Sequence, residues 1–126
     1  MTLLLDTSVL IDHLRGNPVA RQALAAAAVE GHRLASSVVV KVEVLAGMRP
    51  AEERRTRRLL DTLDWIPVDD DIAERAGALA NRYVASHAGV DPVDYLIAAT
   101  AELHDAVLWT RNLKHFPMFP ELQPPY

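Results

Sequence analysis

"LLLDTSVLIDHLRG", residues 3–16, decides the fold. Leu3, Leu4 and Leu5 form an apolar run too short for a helix and unbroken by polar alternation. Such a run reads as a short strand buried on both faces, the kind found inside parallel sheets. "SVLIDHLRG" then reads as a short helix that Gly16 closes. Asp6 stands between them, so a carboxylate is carried to the end of a buried strand. That is an expensive place for a charge unless something compensates it.

Working outward, the chain repeats this alternation. "NPVARQALAAAAVEG" predicts a helix with Asn17 as its N-cap, Pro18 at the first helical position and Gly31 as its stop. "RLASSVVVKVEVLAGMRP" supports both a strand and a helix. The preferred reading is a strand near Arg33–Ala35, then a helix capped by Ser36 or Ser37 and ended by Gly47. "AEERRTRRLLDTL" predicts a charged amphipathic helix. "WIPV" reads as a short strand whose Pro67 suits an edge or a strand end. "DDDIAERAGALANRYVASH" predicts a long helix with acids in its first turn, where they suit the helix dipole. "DPVDYLIAATAELH" predicts another, capped by Asp91 and begun by Pro92. "AVLWT" is a strand, "RNLKHF" a turn, and the proline-rich "FPELQPPY" at most a brief edge strand. Short buried strands alternating with helices imply an α/β fold in three layers, α/β/α, with a short-stranded, mainly parallel sheet. No repeat, linker or break in composition divides residues 1–126, which read as a single domain.

Composition narrows the classes. Half of the 126 residues are hydrophobic, enough for one core and too many for a disordered chain. No apolar run is long enough to span a bilayer, and the N-terminus lacks the pattern of a secretory signal. There is no cysteine, which excludes disulfides and thiolate metal sites and fits a reducing cytoplasm. The net charge of −4 argues against binding nucleic acid by overall charge alone.

Four polar residues fall where ligands bind in open parallel sheets, beyond the carboxyl ends of the strands. Asp6 ends the first strand and Asn112 follows the last. Glu43 and Asp94 sit on helices. Each has an ordinary explanation: Asp6 as a helix cap, Asp94 as the acid of a capping box with Asp91, Asn112 as a turn residue. Glu43 is expected to be at least partly buried, because Val39, Val40, Ala46 and Gly47 surround it at helical spacing. A salt bridge to Lys41 or to an arginine would satisfy it; so would a metal ion. Asp12 and Glu30 read as ordinary surface acids, and Asp69, Asp70 and Asp71 as a solvated capping cluster. The five histidines show no zinc-ligand spacing. Carboxylates clustered without cysteine or histidine suit a hard cation, Mg²⁺ or Mn²⁺, of the kind used in phosphoryl chemistry.

Taken in order, "LLLDTSVLIDHLRG", "VVVKVEVLAGMR" and "DPVDYLIAATAELHDAVLWTRNLKHF" closely resemble the successive motifs of PIN-domain ribonucleases, and specifically the VapC toxins of bacterial toxin–antitoxin pairs. The resemblance spans almost the whole chain. It implies a PIN-like fold and a metal-dependent endoribonuclease that cuts RNA, such as tRNA or rRNA, with Mg²⁺ or Mn²⁺ held by Asp6, Asp94 and Glu43. It places Asn112 at a fourth position that is often an aspartate, as a polar orienting group. Thr7 and Ser8 match hydroxyls that help hold the first carboxylate and the water shell of the metal. Arg111, Lys114 and His115 become candidates for RNA contact, with Arg49, Arg54, Arg55, Arg57 and Arg58 as a second basic cluster. The family also implies a VapB-type antitoxin partner and a homodimer. Two other readings stay open. A phosphotransferase using Asp6 as nucleophile expects a second aspartate where Ser8 stands, and a silent RNA-binding or scaffold module fits the loss of an acid at Asn112.

Overall fold

The computed structural model describes residues 1–126. Its sheet has four strands: β1 (Thr2–Leu5), β2 (Arg33–Ser37), β3 (Asp64–Ile66) and β4 (Val107–Trp109). All pair in parallel, in the order β3-β2-β1-β4. Between β1 and β2 run α1 (Thr7–Leu14) and α2 (Pro18–Val29); between β2 and β3 run α3 (Val38–Ala46) and α4 (Glu53–Leu60); between β3 and β4 run α5 (Asp70–Tyr83) and α6 (Pro92–Leu103). The first two crossovers step across the sheet in one direction and the third steps back. Right-handed crossovers therefore put α1–α4 on one face and α5 and α6 on the other. The result is the three-layer α/β/α arrangement.

β1 lies at the centre, and Leu3, Leu4 and Leu5 are all buried. Each such leucine stabilises the fold by about 1.5–3 kcal/mol relative to exposure. The caps follow local chemistry. Asn17 accepts hydrogen bonds from the amides of Val19 and Ala20 at 3.0 and 3.1 Å. Asp69 accepts from Ile72 at 2.9 Å. Gly16 and Gly31 adopt positive φ, +81° and +85°, and so end α1 and α2 in a conformation that costs glycine nothing.

Several details differ from the sequence reading. β2 runs two residues further, to Ser37, and it is Ser37 that caps α3, accepting from Val39 at 3.3 Å. Ser36 is buried and donates instead to the carbonyl of Leu5 at 2.6 Å, which ties β2 to the end of β1. The charged helix begins with a 3₁₀ turn over Pro50–Glu52. β3 starts one residue earlier than read, at Asp64, and, as Pro67 suggested, is an edge strand that stops just before that proline. The tail forms no strand, in keeping with its prolines: Pro117, Pro120, Pro124 and Pro125 carry no amide hydrogen to pair with.

Candidate active site

The strand order reverses between β1 and β4, and that is where a parallel sheet opens a crevice at its carboxyl edge. The register pairs Leu5 with Trp109, so the next residues, Asp6 and Thr110, lie side by side at the mouth of the crevice. The Asp6 amide donates to the Trp109 carbonyl at 2.9 Å, which extends the ladder by one bond and fixes the direction of the side chain.

Asp6 is 4% exposed, and its charge is balanced by donors. The Thr110 hydroxyl donates to Oδ2 at 2.6 Å and the Thr7 amide to Oδ1 at 2.8 Å. Asp6 is thus both the N-cap of α1 and the floor of the cleft. The Ser8 hydroxyl lies 3.5 Å from both Asp6 and Thr110 and accepts from the Arg111 amide at 3.0 Å. Thr7 holds Asp6 through its amide; its hydroxyl donates to Glu43 Oε1 at 2.7 Å.

Glu43 does not lie on an apolar face. It is exposed and forms no ion pair with Lys41 or any arginine. The buried stripe of α3 is Val40 and Val44, and Glu43 stands about 60–100° around the axis from it. Of its helical neighbours only Val40 is buried, while Ala46 and Gly47 are exposed. Lys41 lies over the Trp65 ring at 4.6 Å.

Asp94 is 8% exposed. It completes a capping box: Asp91 Oδ1 accepts from the Val93 and Asp94 amides at 2.8 and 3.2 Å, and Asp94 Oδ2 accepts from the Asp91 amide at 3.3 Å. His115 Nδ1 lies 3.3 Å from the same oxygen. Burial and the neighbouring Asp91 charge push Asp94 up to about 6, with Asp6 adding to the rise and the amide bond and His115 opposing it.

One cleft is lined by Asp6, Thr7, Ser8, Glu43, Asp94 and Asn112, together with Asp12, Arg15, Asp91, Arg111 and His115. Lys114 is exposed and lies outside it. The fold therefore brings together acids from β1, α3 and α6, and the capping roles of Asp6 and Asp94 coexist with a place in the cleft. No three acidic or histidine side chains close into a cage of their own. Mg²⁺ does not demand one: it keeps several waters and takes one or two carboxylates, with substrate phosphate filling the rest. The oxygen-only donor set of Asp6, Asp94 and Glu43 fits that ion and Mn²⁺.

Sequence reasoning missed Thr110, Asp12 and Arg15. Thr110 had a signal: it is the polar residue that ends a buried strand, as Asp6 is in β1. Asp12 had none. Its Oδ2 accepts from Arg111 at 2.8 Å and from the Tyr126 hydroxyl at 2.5 Å, and these bonds hold its carboxyl below the usual carboxylate range.

The profile of the PIN domain matches residues 3–118. The chain belongs to the PIN-domain family. It is 50% identical to ribonuclease VapC19 of Mycobacterium tuberculosis over 123 residues, 98% of each chain. It is 48% identical to ribonuclease VapC10 of the same organism over 124 residues, 98% of this chain and 92% of that one. A toxin–antitoxin complex from Klebsiella pneumoniae contains a chain that superposes with a TM-score of 0.81 at 37% identity, covering 98% of both chains. The fold is also that of VapBC2 from Rickettsia felis bound to a promoter DNA fragment, TM-score 0.80 at 22% identity over 97% of this chain and 96% of that one. These identities place the chain among the VapC proteins of the PIN-domain family.

Proposed function

We propose that residues 1–126 act as one PIN domain: a Mg²⁺- or Mn²⁺-dependent endoribonuclease, the toxin of a pair whose other member is a VapB-type antitoxin. Its substrate is tRNA or rRNA, its setting the cytoplasm, and its form a homodimer held in complex with that antitoxin. No helix is long and apolar enough to cross a membrane. The observation that carries the reading is the pair of nearly buried carboxylates, Asp6 and Asp94, facing one cleft at the sheet's switch point. The names of the VapC relatives and the toxin–antitoxin complexes among the structural neighbours support the activity and the partner.

In this reading Asp6, Asp94 and Glu43 hold the ion, which supplies Lewis acidity and lowers the pKa of bound water. The chain's own work is placement. Thr110 and the Thr7 amide fix Asp6, and the Thr7 hydroxyl aims Glu43 into the same cleft. Asn112 presents a neutral polar group that adds no further repulsion toward phosphate. Asp94 takes up charge fully only above about pH 6, or when a cation offsets Asp6 and Asp91.

The test is cleavage of total cellular RNA by the purified chain with Mg²⁺ or Mn²⁺, scored by sequencing new 5′ ends. Asp6→Ala and Asp94→Ala are expected to abolish cleavage with the fold retained. A folded, fully active Asp6→Ala protein would falsify the reading. A folded wild type that binds the ions and cuts no RNA would establish the silent module instead.

A further inference from the structure

Two arginines line the acidic cleft, and they are not equivalent. The Arg111 guanidinium donates to Asp12 at 2.8 Å and lies over the Tyr126 ring at 5.7 Å. It is neutralised and held. His115 faces Asp94, and Lys114 is outside the cleft. Arg15 alone carries an exposed, uncommitted charge there: its side chain makes no ion pair or hydrogen bond, only a longer-range attraction to Asp12. It sits at the C-cap of α1, where the chain turns away at Gly16.

Arg15 also lines a second groove with Leu14, Val44, Met48, Arg49 and Glu52. Ile11 and Arg15 belong to both concavities, so the cleft continues into this groove. Arg49 is exposed and its side chain makes no ion pair. Beyond it α4 presents Arg54, Arg55, Arg57 and Arg58, all exposed; only Arg55 has a partner, Glu52 at 3.6 Å. An acidic cleft repels a polyanion, so the strand must be retained by cations that no carboxylate has already neutralised. Arg15 and Arg49 are such cations, and both line the groove that adjoins the cleft.

We infer that Arg15 is a phosphate-binding residue, and that an RNA strand leaves the cleft over it and runs along the adjoining groove past Arg49 toward α4. This rests on the ribonuclease reading and adds the path and the residues that set it. Arg15 acts on retention of the substrate and not on the bond that breaks. Arg111 is clamped by Asp12 and Tyr126 and is not free to take up phosphate.

The experiment is fluorescence-anisotropy binding of labelled bulk tRNA to the whole chain in EDTA, where no cleavage competes. Salt is varied between about 50 and 200 mM. Arg15→Gln and Arg49→Gln are each expected to weaken binding about 5-fold and to reduce the slope of log K against log salt by about 0.7–0.9. Arg82→Gln, on α5 at the other face of the sheet, is expected to change neither. In Mn²⁺-supported cleavage, Arg15→Gln should raise KM and leave kcat within about 2-fold, the signature of lost uniform binding. Wild-type cleavage with Arg15→Gln indistinguishable in affinity, slope and KM overturns the inference alone and leaves the groove to a protein partner. A wild type that neither binds nor cuts RNA overturns the ribonuclease reading, and this inference with it.

Discussion

Replacing Thr110 by valine removes one hydroxyl and keeps the branched shape. The hydroxyl is fully buried, donates to Asp6 Oδ2 at 2.6 Å and accepts from the Asn112 amide at 3.0 Å. A hydrogen bond to a charged group contributes about 1.5–3 kcal/mol. The Asn112 amide lies beside exposed chain and regains water, so its loss adds little. The expected cost is about 2 kcal/mol, or a midpoint lower by about 8 °C for a chain of this size. Urea unfolding followed through Trp109, the neighbour of Thr110, measures it. A double-mutant cycle with Asp6→Ala isolates the bond: once the carboxylate is gone, Thr110→Val should cost less by at least about 1 kcal/mol. Thr110→Ser keeps the hydroxyl and should recover most of the loss. A coupling energy near zero, with both single variants folded, would refute the claim that Thr110 sustains the buried Asp6 charge.

Three further outcomes are expected. The pKa of Asp94 is raised from 3.8 to about 6, so its contribution to metal-free stability is full below about pH 3.8 and lost as pH rises through 6. Asp94→Asn should remove that loss, seen as a flatter stability profile between about pH 4 and 6.5, and calorimetry on the wild type should show Mn²⁺ affinity falling and proton release growing below about pH 6. Tyr126→Phe removes a bond that holds the Asp12 pKa below 3.8; the deficit, about 1 kcal/mol, should be present at pH 7 and vanish as acid protonates Asp12, and a deficit unchanged at low pH would exclude this cause. Asn17→Ala should cost about 1 kcal/mol through the lost cap of α2, with cleavage unaffected when both are measured on one preparation.

What could be read from the sequence was what local chemistry determines. The leucine run before Asp6, the Asn17-Pro18 and Asp91-Pro92 helix starts and the glycines at positions 16 and 31 all specify their elements within a few residues. Glu43 was legible as a candidate from its helix position near the sheet edge, and the family motif named its role. Its setting was misread because small apolar neighbours, Ala46 and Gly47, lie on an exposed flank of α3 and not in the core. The tail was legible because its prolines forbid the ladder, and it forms no strand. The Asp12–Arg111–Tyr126 cluster joins α1 to residues near the end of the chain, and no periodicity connects such distant positions. Arg15 had the profile of any helix-ending arginine before glycine, and its importance emerges only after every other cation in the cleft has been paired.

The same restraint explains why a carboxylate sits inside so apolar a segment. The parallel ladder puts Asp6 beside Thr110, and capping α1 supplies the Thr7 amide, so the charge is held by donors built into the fold. Those donors still leave lone pairs facing the cleft, because a carboxylate offers about four acceptor sites. Asp94 meets the opposite balance: its cap supplies a weaker bond, and Asp91 and Asp6 crowd it with like charge. One acid is therefore held by close donors, and the other is pushed up to about 6. A divalent cation held by both would gain most from the second, since it would remove repulsion as well as add attraction. That asymmetry makes Asp94 the residue through which pH should govern metal loading, and Asp6 the residue whose loss should remove the site altogether.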